Sequence, residues 1–121
     1  MNNICKIIEK DGEEWIVFNP DFNQELTQDI IEFLSKHQRV EFGREFNKPV
    51  NKLPKSLTHL RFVEYSKFNQ PVDNLPNSLT HLEFGTYFNQ PINIIHASLK
   101  KITIPKNYSH PLPDNVEIQK I

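Results

Sequence analysis

The stretch "LTHLRFVEYSKFNQPVDNLPNSLTHLEFGTYFNQP", Leu57 to Pro91, contains Leu-Thr-His-Leu-x-Phe twice and Phe-Asn-Gln-Pro twice, and this duplication decides the fold. Leu57, Leu60, Phe62, Phe68, Asn69 and Pro71 recur as Leu79, Leu82, Phe84, Phe88, Asn89 and Pro91. Upstream, "VEFGREFNKPVNKLPKSL" supplies another copy with Phe42, Phe46 and Asn47. The second phenylalanine advances by 22 and then 20 residues, from Phe46 to Phe68 to Phe88. From each of these to the next leading leucine (Leu57, Leu79, Leu99) is eleven residues every time. A period of this size marks a solenoid, in which each repeat is one coil that buries its apolar side only against its neighbours.

The pattern continues in weaker form on both sides. "FNPDFNQEL" keeps Phe18, Phe22 and Asn23, and "IPKNYSHPL" places Ile104, Tyr108, Ser109 and Pro111 twenty residues after Phe84, Phe88, Asn89 and Pro91. About five coils over residues 18–111 therefore fill most of a single domain of 121 residues.

Within a coil, Leu-x-x-Leu-x-Phe alternates apolar and polar residues as a short half-buried strand does. Proline follows the Asn-x step at Pro49, Pro71 and Pro91, and Leu53-Pro54 and Leu75-Pro76 begin the return, so those returns are extended or turning rather than helical. The predicted fold is mainly β, or α/β, a short leucine-rich-repeat-type solenoid whose strands form a parallel sheet with right-handed crossovers. Phe18, Phe42, Phe62 and Phe84 are expected to stack as one aromatic column, and Phe22, Phe46, Phe68 and Phe88 as a second. Asn23, Asn47, Asn69 and Asn89 are expected to point inward as a ladder, satisfying backbone groups at the buried coil corner.

The ends differ from the middle. "ICKIIEKDGEEWIVF" is two β-prone runs around Asp11-Gly12, so residues 1–17 are predicted as a hairpin cap. "LTQDIIEFLSKH" offers Thr27 as an N-cap with Ile30, Ile31, Phe33 and Leu34 on one side, which predicts one short helix on the first return. Residues 112–121 are expected as a C-terminal cap.

"FGREFNKPV", "FGTYFNQPI" and "LPNSLTHLEF" resemble the FNIP-repeat proteins, a leucine-rich-repeat variant with an FGxxFN motif known from amoebae and large DNA viruses. The resemblance spans about Phe18 to Pro111, with Val63 in place of the motif glycine, Glu25 in place of the proline, and no Phe-Asn pair in the last coil. It implies a protein-interaction scaffold, and a viral member would be expected in the host-cell cytoplasm.

Charge and motifs narrow the function classes. Fourteen basic and fifteen acidic residues give a net charge of -1, which supplies no field to draw nucleic acid or an anionic membrane. The first ten residues carry charge and no apolar core of a signal peptide, and Cys5 is the single cysteine, so a cytoplasmic, reducing setting is expected. No nucleotide-binding loop, nucleophile elbow or zinc-protease motif occurs, and no enzyme activity or cofactor is expected.

The candidate contact surface is the concave strand face. Alternation turns Arg39, His59, His81 and Lys101 outward in one column and Glu41, Arg61, Glu83 and Thr103 in the next. The first column reads as stacked positive charge suited to an acidic partner once the histidines protonate. The second reads as alternating charges that pair across strands. The six-residue step in "FVEYSKF" makes residues 63–67 a bulge with Tyr65 as an anchor. The function expected is a non-enzymatic protein-binding module; the alternative is a structural protein that forms homodimers or larger homo-oligomers through its ends or sheet face.

Overall fold

The computed structural model describes residues 3–93 and 98–121. Met1 and Asn2 of the predicted hairpin cap, and Ile94 to Ala97 on the fourth return, lie outside the described residues. Seven strands form one sheet in chain order: β1 (Cys5–Lys10), β2 (Glu13–Phe18), β3 (Arg39–Phe42), β4 (His59–Phe62), β5 (His81–Glu83), β6 (Lys101–Ile104) and β7 (Glu117–Lys120). β1 and β2 form an antiparallel hairpin, and every later pairing is parallel. The chain is thus a mainly β solenoid of about five turns with one short helix, as the period predicts.

The hairpin closes at Asp11 and Gly12, whose φ angles of 53° and 80° are both left-handed, as a type I′ turn demands. The helix α1 (Gln28–Leu34) starts behind Thr27, whose hydroxyl accepts from the Ile30 N–H. Its buried residues, Ile30 and Leu34, join the same core as Leu53 and Leu57 of the next coil. Helix forms on this return because the chain between Asp21 and Lys48 contains no proline, whereas Pro49, Pro54, Pro71 and Pro76 deny the later returns the N–H groups a helix needs.

Each coil contributes the same buried set. Leu60, Phe62, Phe68, Val72, Leu75 and Leu79 are buried in one turn, as are Val40, Phe42, Phe46, Val50, Leu53 and Leu57 in the turn below. The rings of Phe42, Phe62 and Phe84 follow one another at 5.7 Å, and those of Phe22, Phe46, Phe68 and Phe88 at 5.9 to 6.1 Å, nearly parallel throughout. Within a coil the two rings also face each other, at 4.0 Å for Phe62 and Phe68 and 3.7 Å for Phe84 and Phe88. Tyr108 ends the second column, 5.9 Å from Phe88, with its hydroxyl donating to the Gln90 carbonyl at 2.6 Å.

Between the two rings every coil makes the same tight turn. Phe22, Phe46, Phe88 and Tyr108 donate their N–H to the carbonyl three residues back, at Asn19, Gly43, Gly85 and Pro105. In the second full coil Ser66 makes that bond to Val63, and the ring follows two residues later at Phe68. The displaced Phe68 N–H is taken by the Ser66 hydroxyl at 3.0 Å, which is why a serine is completely buried there.

The glycine of the FG pair answers to close approach between coils. A Cβ on Gly43 would stand 2.7 Å from the Pro20 Cα, and one on Gly85 2.3 Å from the Val63 carbonyl oxygen. One expectation needs correction. Asn23, Asn69 and Asn89 are exposed and Asn47 half-buried, so the asparagines do not point inward. Each still forms a rung: the N–H groups of Asn47, Asn69 and Asn89 donate to the Oδ1 of Asn23, Asn47 and Asn69 at 2.9 Å. The corner N–H faces the surface, because the adjacent phenylalanines occupy the interior. Residues 112–121 supply β7, which extends the sheet in register with β6.

Two substitutions test this account. Gly85→Ala must push back the bulge carbonyls and is expected to cost about 1–3 kcal/mol in urea unfolding. Asn69→Ala removes the acceptor for Asn89 N–H and Gln90 Nε2 and is expected to cost about 1 kcal/mol, less for Asn69→Asp, which keeps an oxygen there.

Candidate interaction surface

The strand register places the outward side chains in columns. Arg39, His59, His81, Lys101 and Glu117 are consecutive neighbours in one, and Val17, Glu41, Arg61, Glu83, Thr103 and Gln119 in the other. Alternation along a strand fixes this outcome, since Val40, Leu60, Leu82 and Ile102 between them are buried.

In the second column Arg61 lies between two carboxylates, 3.3 Å from Glu41 and 2.7 Å from Glu83. Glu41 is nearly buried and also receives Lys10, at 3.3 Å, from the end of the hairpin. Burial of a carboxylate is tolerated there because two cations meet it.

The first column differs from its sequence reading as stacked positive charge. Arg39 pairs with Glu13 of β2, and Lys101 approaches Glu117 of β7 at 3.8 Å. Strands β2 and β7, which sequence reasoning treats as caps, supply those carboxylates. Between the two cations the imidazoles of His59 and His81 stack with centroids 4.4 Å apart and planes 4° from parallel. Trp15 meets the outer side of His59 edge-on at 5.8 Å, and Lys10 sits 5.9 Å above the Trp15 ring. Trp15 was legible as outward-facing from the buried Ile16 and Phe18 of "EEWIVF".

These side chains line a solvent-open groove of about 180 Å³ formed by Trp15, His59, Arg61, His81, Glu83 and Lys101 over the backs of Leu60 and Leu82. Among the described residues no group of three or more His, Cys, Asp or Glu could hold a metal ion. Cys5 is buried, and its burial raises the thiol above its usual value.

At the corner beyond the strands, Tyr65 of the bulge is 64% exposed. Tyr87, which sequence reasoning passes over, is 62% exposed on the next coil, and the Thr86 N–H joins the two turns by donating to the Glu64 carbonyl at 2.7 Å. The signal for Tyr87 was its place between Gly85 and Phe88, on a turn whose other side chains face solvent. Lys67 Nζ closes the same corner against Glu45 at 2.8 Å.

The repeated turn, the doubled ring columns and the asparagine rungs together identify the repeat type. Residues 68–106 match the FNIP repeat. The resemblance read from the FGxxFN motif is thereby borne out over those coils. CroV588, a giant-virus protein whose crystal structure is described as a novel circular LRR protein structure, superposes with a TM-score of 0.71 at 35% identity. The alignment covers 86% of this chain but 16% of that one, so this chain spans about a sixth of the length of its structural neighbour. No curated protein matches in sequence. Repeat folds of this leucine-rich type are typical of protein-interaction modules and are generally non-enzymatic scaffolds. Among the described residues no helix is long and apolar enough to cross a membrane.

His59 carries a pH signature. Burial holds His59 below the usual imidazole value of 6.5, and the positive neighbours His81 and Arg39 lower it further, against a smaller upward pull from Glu13. The folded state then binds a proton less readily than the unfolded chain, so its contribution to stability is complete above 6.5 and is lost as pH falls through the depressed value. The thermal midpoint is expected to drop between about pH 7.5 and pH 5.5, with a smaller drop in His59→Gln measured by the same scans.

Proposed function

We propose that the chain is a protein-binding module that meets its partner on the open face of the sheet, with the Tyr65 and Tyr87 corner as a second contact. The observation that carries this reading is the groove: six large side chains, aromatic, cationic and anionic, converge on one solvent-open surface, while the rest of each coil repeats a scaffold pattern. His59, His81 and Lys101 line it from the first column and Arg61, Glu83 and Thr103 from the second, with Arg39 and Glu41 next in register on β3. A partner side chain entering beside Trp15 would lie against the strand backbone at Leu60 and Leu82. Tyrosines are favoured at contact hot spots because a rigid ring with a polar end gains area at small entropic cost.

A second reading, self-assembly through the ends, is favoured by the sheet edges. Among the described residues the outer edges of β1 and β7 have no strand partner, and Ile7 of β1 is 56% exposed. Open edges invite further strands.

Photo-crosslinking separates the two. A photoreactive residue at position 81 is expected to trap a different protein from a lysate of the source cell, and one at Lys55 on the exposed return side to trap none. Trapping of this chain's own copies, together with a mass by light scattering that rises with concentration, would establish the second reading instead; equal trapping from both positions would remove the groove as the contact surface.

A further inference from the structure

The two central strands carry the same sequence, Leu57-Thr58-His59 and Leu79-Thr80-His81, and hold it in register. The Thr58 hydroxyl lies 2.9 Å from His59 Nδ1, and the Thr80 hydroxyl 2.8 Å from His81 Nδ1. Each hydroxyl also reaches a carbonyl of the coil below, Gln38 at 3.2 Å and Thr58 at 3.1 Å. A hydroxyl so placed serves both protonation states: it donates to the lone pair of a neutral Nδ1, or turns to the carbonyl and accepts from the Nδ1–H of the cation. Gaining a proton therefore need not turn the rings. Among the described residues neither Nε2 has a hydrogen-bond partner, which leaves that atom for a ligand.

Charge around the pair is balanced. Lys10, Arg39, Arg61 and Lys101 are met by Glu13, Glu41, Glu83 and Glu117, four cations against four anions. A further pair, His37 with Glu14, lies beside the hairpin at 2.8 Å. The groove face is therefore neutral while His59 and His81 are neutral, and gains two positive charges when both protonate. Two imidazolium rings 4.4 Å apart repel, and a carboxylate bonded to both Nε2–H groups is the counter-charge that relieves them. Lys101, next in the column and held by Glu117 only at 3.8 Å, can join it.

We infer that the His59–His81 pair is a proton-gated seat for a carboxylate side chain of an acidic peptide segment, with Trp15 and the groove floor taking an apolar neighbour of that carboxylate. The inference rests on the sheet face being the contact surface. A peptide fits better than a nucleic acid because Glu83 and Glu41 stand within the charged flank and would repel a run of phosphates, whereas a single carboxylate between the histidines and Lys101 avoids them. Mildly acidic conditions would switch binding on, since aspartate and glutamate stay ionised at about pH 6 and a bound carboxylate offsets the burial and neighbouring positive charge that resist protonation of His59.

The test is calorimetric titration of the full chain with a blocked hexapeptide of alternating glutamate and leucine, and with its glutamine counterpart, at about pH 6 and pH 8. The glutamate peptide is expected to bind at least about tenfold more tightly at the lower pH, the glutamine peptide at neither, and the double variant His59→Gln, His81→Gln to lose the pH dependence. Because that variant must also fold, a proton NMR titration of the unmodified chain gives a second reading: the peptide should raise the pKa of both imidazoles. No binding at either pH, equal affinity at both, or unmoved imidazole titrations would overturn the inference, and tighter binding of an oligothymidylate than of the peptide would overturn its assignment to a peptide. A partner crosslinked from position 81 with pH-independent affinity would retain the proposed function and sink this inference alone; trapping no partner from that position would sink both.

Discussion

Axial stacking of phenylalanine is the constraint on which the rest of this structure depends. A coil of about twenty residues has a cross-section too small to close a core by itself, so it must fill its interior with side chains that also satisfy the coils above and below. Two rings per coil, face to face within the coil and offset-stacked along the axis, do this with one residue type. Once ring meets ring at each level, the strand register is fixed, because a slip of one residue would exchange Phe62 for Arg61 at the core. Tight turns, glycines, asparagine rungs and proline-bearing returns follow as ways of bringing the backbone around that pair of rings.

The departures from regularity keep to this rule. The bulge at residues 63–67 leaves both rings of its coil in column and places its extra length at the surface, at the cost of one orphan N–H that Ser66 satisfies. Gly85 then accommodates the bulge carbonyls of the coil below, so a change in one repeat is absorbed by the smallest residue of the next. The first coil substitutes a helix for an extended return without moving Phe18 or Phe22 out of their stacks. Interiors held this tightly transmit little of the surface variation, which leaves the outward columns free to carry different chemistry on each strand.

That freedom is used on the sheet face. Thr-His appears at the same place in two consecutive coils and in neither neighbour, where Gln38-Arg39 and Lys100-Lys101 stand instead. The result is a stacked imidazole pair between two cations, each cation held by a carboxylate from the N-terminal hairpin or from β7. The hairpin and β7 thus complete the surface electrostatically as well as extending the sheet.

The sequence by itself determined the repeat, the number of coils, the strand positions, the ring columns and which side chains turn outward, since all of these follow from periodicity and from alternation along extended backbone. It also placed the single helix, through the absence of proline and the presence of Thr27. What only the tertiary structure decided depends on distances between coils rather than spacing along the chain. The asparagines read as inward from their hydrogen-bonding capacity, yet two rings per coil leave no interior room, and the rungs form at the surface. The column of Arg39, His59, His81 and Lys101 read as stacked positive charge because spacing does not show which carboxylates the two ends bring beside it; β2 and β7 bring Glu13 and Glu117 there. Periodicity reports what each residue faces, but charge balance is set by neighbours that are far away in sequence and adjacent only after folding.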